Sequence, residues 1–214
     1  MRPSHGEDAV ITDYDAIILA GGRGARLGAP SKPDLLVAGR RMLDIALVAA
    51  GGANRIVVVG DVDVPDQVLR TREEPVFGGP VAGLAAGLAA LTSPAEWLLL
   101  LACDLPDAEA AVARLLTAVP DPEHDGVCLL DADGRSQWLL GCYRAATLEA
   151  RLADRGSPPL TALYRLLGPL RLLGIDPGDV IVDDLDTPAD AQRWAALLDT
   201  GSGTRRRSFE QERS

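Results

Sequence analysis

One lysine, two histidines and three cysteines are all that this 214-residue chain contains of those residues. The cysteines, Cys103, Cys128 and Cys142, are an odd set without CxxC or Cys/His spacing. Two of them lie in apolar segments, where a thiol behaves as a small hydrophobe, which predicts a reduced, cytoplasmic protein. Long apolar runs are also missing: none approaches the ~20 residues that a transmembrane helix requires. The N-terminal MRPSHGEDAVITD lacks the charged-then-apolar layout of a signal peptide, so the expectation is a chain neither exported nor inserted. Basic stretches are scarce. The formal charge is -10, and the one basic cluster, Arg205 to Arg207, falls in a polar tail, which argues against an extended nucleic-acid surface. An anionic ligand must then be held locally, by backbone amides, a few placed cations or a metal ion. No repeat of 20 to 50 residues is visible.

What is present is ordinary globular composition, 47% hydrophobic and 24% charged. A single domain of this length buries roughly 70% of the surface of its unfolded chain, enough for a core without disulfides or structural metal. Residues 1–12 and 200–214 are polar and aperiodic and read as a flexible N-terminus and a disordered tail, leaving 13–199 as the working domain. Within it, short apolar runs at 16–20, 55–60, 97–102 and 126–130 alternate with helix-like stretches at 42–50, 80–91 and 107–118. Strand followed by helix, repeated, implies a mostly parallel sheet covered on both faces, an α/β three-layer sandwich. The second half reads as a strand at 137–143 after the Asp133-Gly134 turn, and helices near 145–154 and 159–167. Strand-like pieces follow at 170–175 and 180–183, then a last helix from Pro188 with Thr187 as its cap.

The segment LAGGRGARLGAPSK, Leu19 to Lys32, follows the first strand and holds four glycines, two arginines and the one lysine in fourteen positions. Glycines let backbone N–H groups approach a ligand, and the cations answer negative charge, so a triphosphate suits the loop. A glycine-rich turn with solvated arginines is the plainer alternative. Two common phosphate motifs fail on spacing: Gly28 is followed by Ala29 rather than the lysine of a Walker A loop, and Gly22, Gly24 and Gly28 give GxGxxxG rather than GxGxxG. Asp61, at the end of the second strand, lies 37 positions after Gly24, too far for the ribose-binding acid of a dinucleotide fold. Lys32 stands out because every other basic side chain is arginine. A compact ammonium is a point charge on phosphate, a role that arginine fills differently.

Carboxylates follow two later strands. Asp104 comes directly after WLLLLAC, a run that marks a fully buried central strand, and so stands at the carboxyl edge of the sheet, where ligands of open α/β folds bind. An Asp beside phosphate ligates Mg²⁺; alternatively it caps the next helix. DVIVDDLDTP sets Asp183, Asp184 and Asp186 before the last helix, as a second metal ligand or as an acidic helix start. FGGPVAGLAAGLAAL, with Gly79 and Pro80 at its turn, opens a small-residue helix. That helix offers N–H groups to an anion or base edge, or packs closely on the sheet. Glu73 and Glu74 upstream are acceptors only, suited to the donors of a guanine edge, or else ordinary surface acids.

With those residues in view, LAGGRGARLG followed by Ser31-Lys32 resembles the LAGGxSxRMGxDK motif of nucleotidyltransferases. The later order, GGPVAG, a strand ending in Asp104, then DLDTP, resembles the molybdenum cofactor guanylyltransferase branch over about residues 16–198. The resemblance implies a Rossmann-like fold in which Leu19, Ala20 and Gly21, with Gly22 beside them, contact the nucleotide through backbone. Gly79 and Pro80 would add contacts at the helix start. It further implies Arg26 and Lys32 on phosphates, Glu74 or Glu73 as the acidic nucleotide contact, Asp104 as an Mg²⁺ ligand, and Asp186 near the second substrate and metal. Ser31, Leu27 and Gly60 depart from the family at an acidic, a Met and a polar position, and GRSQWLLGCY around Gln137 falls in the pterin-side region. The implied activity is transfer of GMP from GTP to the terminal phosphate of molybdopterin. Neither His5 nor His124 falls in these motifs, so histidine acid/base chemistry is not expected. The implied partners are GTP, molybdopterin and, transiently, molybdoenzymes or cofactor carriers. A molybdopterin cytidylyltransferase or a sugar-phosphate nucleotidyltransferase would use the same loop and metal, and a cofactor hand-over module would keep the fold without the chemistry.

Overall fold

Apolar residues without a polar partner face must be covered on both sides, and the chain's four β-branched or leucine-rich runs become the inner strands of one sheet. The computed structural model describes residues 10–21, 32–118, 120–154, 163–185, 190, 193 and 194. The polar ends expected at 1–12 and 200–214 lie outside these, apart from 10–12. In chain order the elements are β1 (Tyr14–Leu19), a 3₁₀ turn (Lys32–Asp34), β2 (Leu36–Val37), β3 (Arg40–Arg41), α1 (Met42–Ala49), β4 (Ile56–Val59), β5 (Leu69–Thr71) and α2 (Pro80–Ala90). There follow β6 (Trp97–Ala102), α3 (Ala108–Leu116), β7 (Gly126–Leu130), β8 (Ser136–Arg144), α4 (Ala145–Ala153), α5 (Leu163–Leu167) and β9 (Leu172–Ile175).

Seven strands form the sheet in the order β5-β4-β1-β6-β8-β7-β9. All the pairings are parallel except those of β8, which runs antiparallel between β6 and β7. The expected mostly parallel α/β sandwich is therefore present, with one reversed strand near its middle. Alternation along β1 and β6 explains the unbroken apolar runs: Ala16, Ile18, Leu99 and Leu101 enter the core beneath α1 and α3, while Ile17, Leu98 and Leu100 enter the one beneath α2. Burial at this density contributes about 1.5–3 kcal/mol for each large aliphatic side chain.

The small residues of α2 settle one of the open alternatives. A Cβ on Gly87 would stand 2.7 Å from Ile17 Cγ2, and one on Gly83 would stand 3.1 Å from Leu19 Cδ2. Glycine lets α2 lie directly on β1 at these two turns. At the opposite edge of the sheet from the motifs, the fully buried Asp15 accepts two hydrogen bonds from Arg55, at 3.1 and 2.7 Å, and a third from Ala95 N–H at 2.8 Å.

Three features differ from expectation. Residues 180–183 do not form a strand; Ile181 and Val182 are buried, but the Ile181 N–H donates to Asp107 Oδ2 at 3.3 Å and the Leu185 N–H to the Asp104 carbonyl at 2.9 Å. Their β-branched residues fill the core while a carboxylate and a loop carbonyl take the place of a strand neighbour. The edge strand β5 and the β2–β3 hairpin were not anticipated. Leu-Arg-Thr is too short and exposed to show alternation, and the hairpin turns on Ala38 (φ 49°) and Gly39 (φ 76°), two successive left-handed residues. The start of the predicted last helix at Pro188 lies outside the described residues; Asp190, Arg193 and Trp194 beyond it are helical. Among the described residues, no helix is long and apolar enough to cross a membrane.

Candidate active site

The carboxyl ends of β1 and β6 are neighbours in register, Leu19 beside Ala102, so whatever follows each strand is delivered to the same edge. A cleft of about 840 Å³ opens there. Leu19, Ala20 and Gly21 from β1, Lys32 from the 3₁₀ turn, Asp104 after β6, Glu73 after β5, and Gly79 and Pro80 at the start of α2 all line it. Asp183 and Asp184 reach it from the segment fastened to the Asp104 carbonyl. Gly22, Arg26 and Asp186 lie outside the described residues.

Lys32 and Asp104, 72 positions apart, meet in the cleft with Nζ 3.0 Å from Oδ2. The buried Pro33 anchors the turn that carries the lysine. Their side chains are 32% and 20% exposed, open enough for both to exchange this partner for a ligand. Cys103, between β6 and Asp104, is buried, and burial pushes its thiol well up, with the Asp104 charge adding to the effect; it is held protonated and is not a nucleophile.

Of the two candidate glutamates, Glu74 is exposed and does not line the cleft, whereas Glu73 is only 7% exposed and does. The Glu73 carboxylate lies across Gly21, 3.5 Å from where a Cβ would stand, and accepts a hydrogen bond from Phe77 N–H at 3.2 Å. The departure at Gly60 has a steric cause. A Cβ there would lie 2.9 Å from both the carbonyl carbon and the oxygen of Ala20, so the end of β4 can pass the backbone that follows β1 only as glycine.

The far wall comes from β8. Pairing with β7 shifts between Cys128 and Leu129, from Cys128 opposite Gly141 to Leu129 opposite Gln137, which frees Trp138 to Leu140 from that ladder. Tyr143 fixes the arch by donating its hydroxyl to the Trp138 carbonyl at 2.7 Å, and Gln137 Nε2 donates to Asp131 Oδ2 at 3.1 Å. Ser136 to Leu140 then face the cleft. The segments GRSQWLLGCY and FGGPVAG were singled out in sequence, but the parts that Trp138 and Tyr143 play in the arch, Phe77 at the cleft and Asp107 at the Ile181 N–H were not, because bulges and loop contacts leave no periodicity to read.

The cleft thus offers one ammonium, carboxylate oxygens and backbone amides. Its oxygen donors, Asp104 with Asp183 and Asp184, suit Mg²⁺, which binds through one or two carboxylates plus substrate phosphates. Among the described residues no group of three or more His, Cys, Asp or Glu side chains forms a protein-only metal cage. His124 is elsewhere, paired with Asp121 at 2.7 Å, and His5 lies outside the described residues.

The chain is similar to the molybdenum cofactor guanylyltransferase of Acidiphilium cryptum, 33% identical over 163 residues, covering 72% of this chain and 76% of that protein. Among solved structures it is similar to molybdopterin-guanine dinucleotide biosynthesis protein A from Archaeoglobus fulgidus, with a TM-score of 0.65 at 15% identity over 87% of this chain and 100% of that one. The inositol-1-phosphate CTP transferase of T. maritima shares the fold, with a TM-score of 0.63 at 14% identity over 91% of this chain and 99% of that one. Residues 16–170 match the family described as the MobA-like NTP transferase domain, and with more than half the chain matched, the protein belongs to that family and is a nucleotidyltransferase.

Proposed function

We propose that the protein transfers GMP from GTP to the terminal phosphate of molybdopterin, releasing pyrophosphate, in the cytoplasm. The observation that carries this reading is the Lys32–Asp104 contact of 3.0 Å at the joined ends of β1 and β6. An oxygen of the acceptor phosphate forms a bond to the α-phosphorus of GTP, and the bond from that phosphorus to the β-phosphate bridging oxygen breaks, its electron pair leaving with pyrophosphate. The attacking phosphate is already ionised and requires no base. Leu19, Ala20 and Gly21 present backbone to the triphosphate, with Gly22 and Arg26 assigned to the same task by motif. Lys32 balances charge as pyrophosphate departs, and Gly79 and Pro80 border the nucleotide. Glu73, an acceptor only, suits the N1–H and amino donors of guanine better than cytosine's single donor group. Asp104, with Asp186 by motif, would hold Mg²⁺, which supplies charge neutralisation on the phosphates. Alignment and neutralisation are the whole catalytic task.

The test is pyrophosphate release with molybdopterin as acceptor, scanned across ATP, GTP, CTP and UTP. Release with GTP and Mg²⁺, abolished by a chelator, is expected. Release with CTP alone would make the protein a cytidylyltransferase; release only with a sugar phosphate as acceptor would reassign the second substrate. No release under any pairing would leave a module that hands cofactor to molybdoenzymes or carriers.

A further inference from the structure

Phe77 is unusual twice over. It is 53% exposed in a chain with few aromatic residues, and its backbone is in the left-handed region at φ 60°, which costs a non-glycine residue energy. Two glycines follow it, yet at 77 the chain carries a large ring. A buried carboxylate holds the conformation, since Phe77 N–H donates to Glu73 Oε1, and Phe77 lines the cleft together with Glu73 and Gly79. No packing role accounts for it, because half of the ring faces solvent.

We infer that Phe77 is a nucleotide-binding residue whose ring stacks on the base of the bound nucleotide. The inference rests on the nucleotidyl-transfer reading above and deepens it. If the triphosphate lies along Gly21, Lys32 and Asp104, the base extends toward Glu73, whose carboxylate overlies Gly21. The Phe77 backbone N–H is hydrogen-bonded to that same carboxylate, which sets the aromatic residue beside the acid at the cleft wall, within reach of the base that Glu73 would contact at its edge. Stacking on an aromatic ring favours any base, so the ring supplies affinity and Glu73 the discrimination.

The structure also supplies a control that separates binding from stability. Glycine adopts φ 60° without penalty, so Phe77→Gly relieves strain as it removes the ring. Equilibrium binding of Mg²⁺–GTP and of Mg²⁺–tripolyphosphate, with melting temperature, is measured for the wild type, Phe77→Gly, Phe77→Leu and Phe77→Trp. In Phe77→Gly the GTP dissociation constant rises on the order of ten-fold, tripolyphosphate binding stays as it was, and the melting temperature holds or rises. Phe77→Leu, equally apolar but without a ring, weakens GTP binding similarly, and Phe77→Trp retains it. If Phe77→Gly fails to fold, the Leu and Trp variants decide by the same measure. Unchanged GTP affinity in the Gly or Leu variant overturns the stacking assignment, as does equal weakening toward tripolyphosphate. A wild type that binds no nucleotide overturns the nucleotidyl-transfer reading itself.

Discussion

Lys32 is the residue on which the proposed chemistry converges. Its ammonium contacts a partly exposed carboxylate, and pairs of that kind contribute only about 0–1 kcal/mol to stability. Lys32→Ala therefore leaves the melting temperature nearly unchanged. It lowers the rate of pyrophosphate release on the order of 10²–10³-fold, the loss typical of removing one transition-state donor. Lys32→Arg recovers little, because a planar guanidinium on a longer stem does not occupy the point that an ammonium does. A large fall in melting temperature for Lys32→Ala would recast the contact as structural. Composition alone singled it out, one lysine among arginines, and the structure places it in the cleft beside Asp104. The choice between Glu73 and Glu74 was not, because which of two adjacent side chains turns inward depends on the backbone of a loop.

Helix α2 packs on the sheet and borders the cleft at once. Its glycine face lies on Ile17 and Leu19, and its first turn, at Gly79 and Pro80, borders the cleft. In an isolated helix, Gly87→Ala would gain about 1 kcal/mol of propensity. Here the methyl meets Ile17 Cγ2 at 2.7 Å and Cγ1 at 3.0 Å, atoms near the backbone of a fully buried residue that cannot swing aside. Overpacking of this sort costs up to about 3 kcal/mol, so the variant is expected to lose about 1–2 kcal/mol net, read as a lower urea midpoint at unchanged slope. A gain in stability would show that α2 can lift from β1. At this scale, strands and helices with a strong apolar pattern were readable: β1, β4, β6 and β7 fall within or beside the runs seen in sequence. The segment at 180–183 misled because buried β-branched residues look alike whether their N–H groups meet a strand or, as here, the Asp107 carboxylate.

Across the whole molecule, all three thiols are buried, and burial raises the pKa of each; the phenols of Tyr14 and Tyr143 are raised by the same cause. The unfolded chain ionises its thiols from about pH 8.5, where the folded chain still holds the protons. Above that pH the unfolded state binds fewer protons, so stability falls as pH rises, and below it this contribution is fully present. Urea unfolding at pH 7 and pH 10 is expected to show the loss. Iodoacetamide at pH 8 is expected to label no thiol until the protein is unfolded, and native labelling of Cys103 would contradict its position in the core.

The reversed strand β8 divides the labour of the molecule. The half of the cleft that carries Lys32 and Asp104 follows the parallel strands β1 and β6, so altering it means altering the scaffold. The opposite wall hangs on a β-hairpin whose tip, at Asp131 to Arg135, is closed by local hydrogen bonds. Because β8 is held by β6 on one side and β7 on the other, the sheet sets the position of that wall, while the turn at Asp131 to Arg135 alone sets its outer lip.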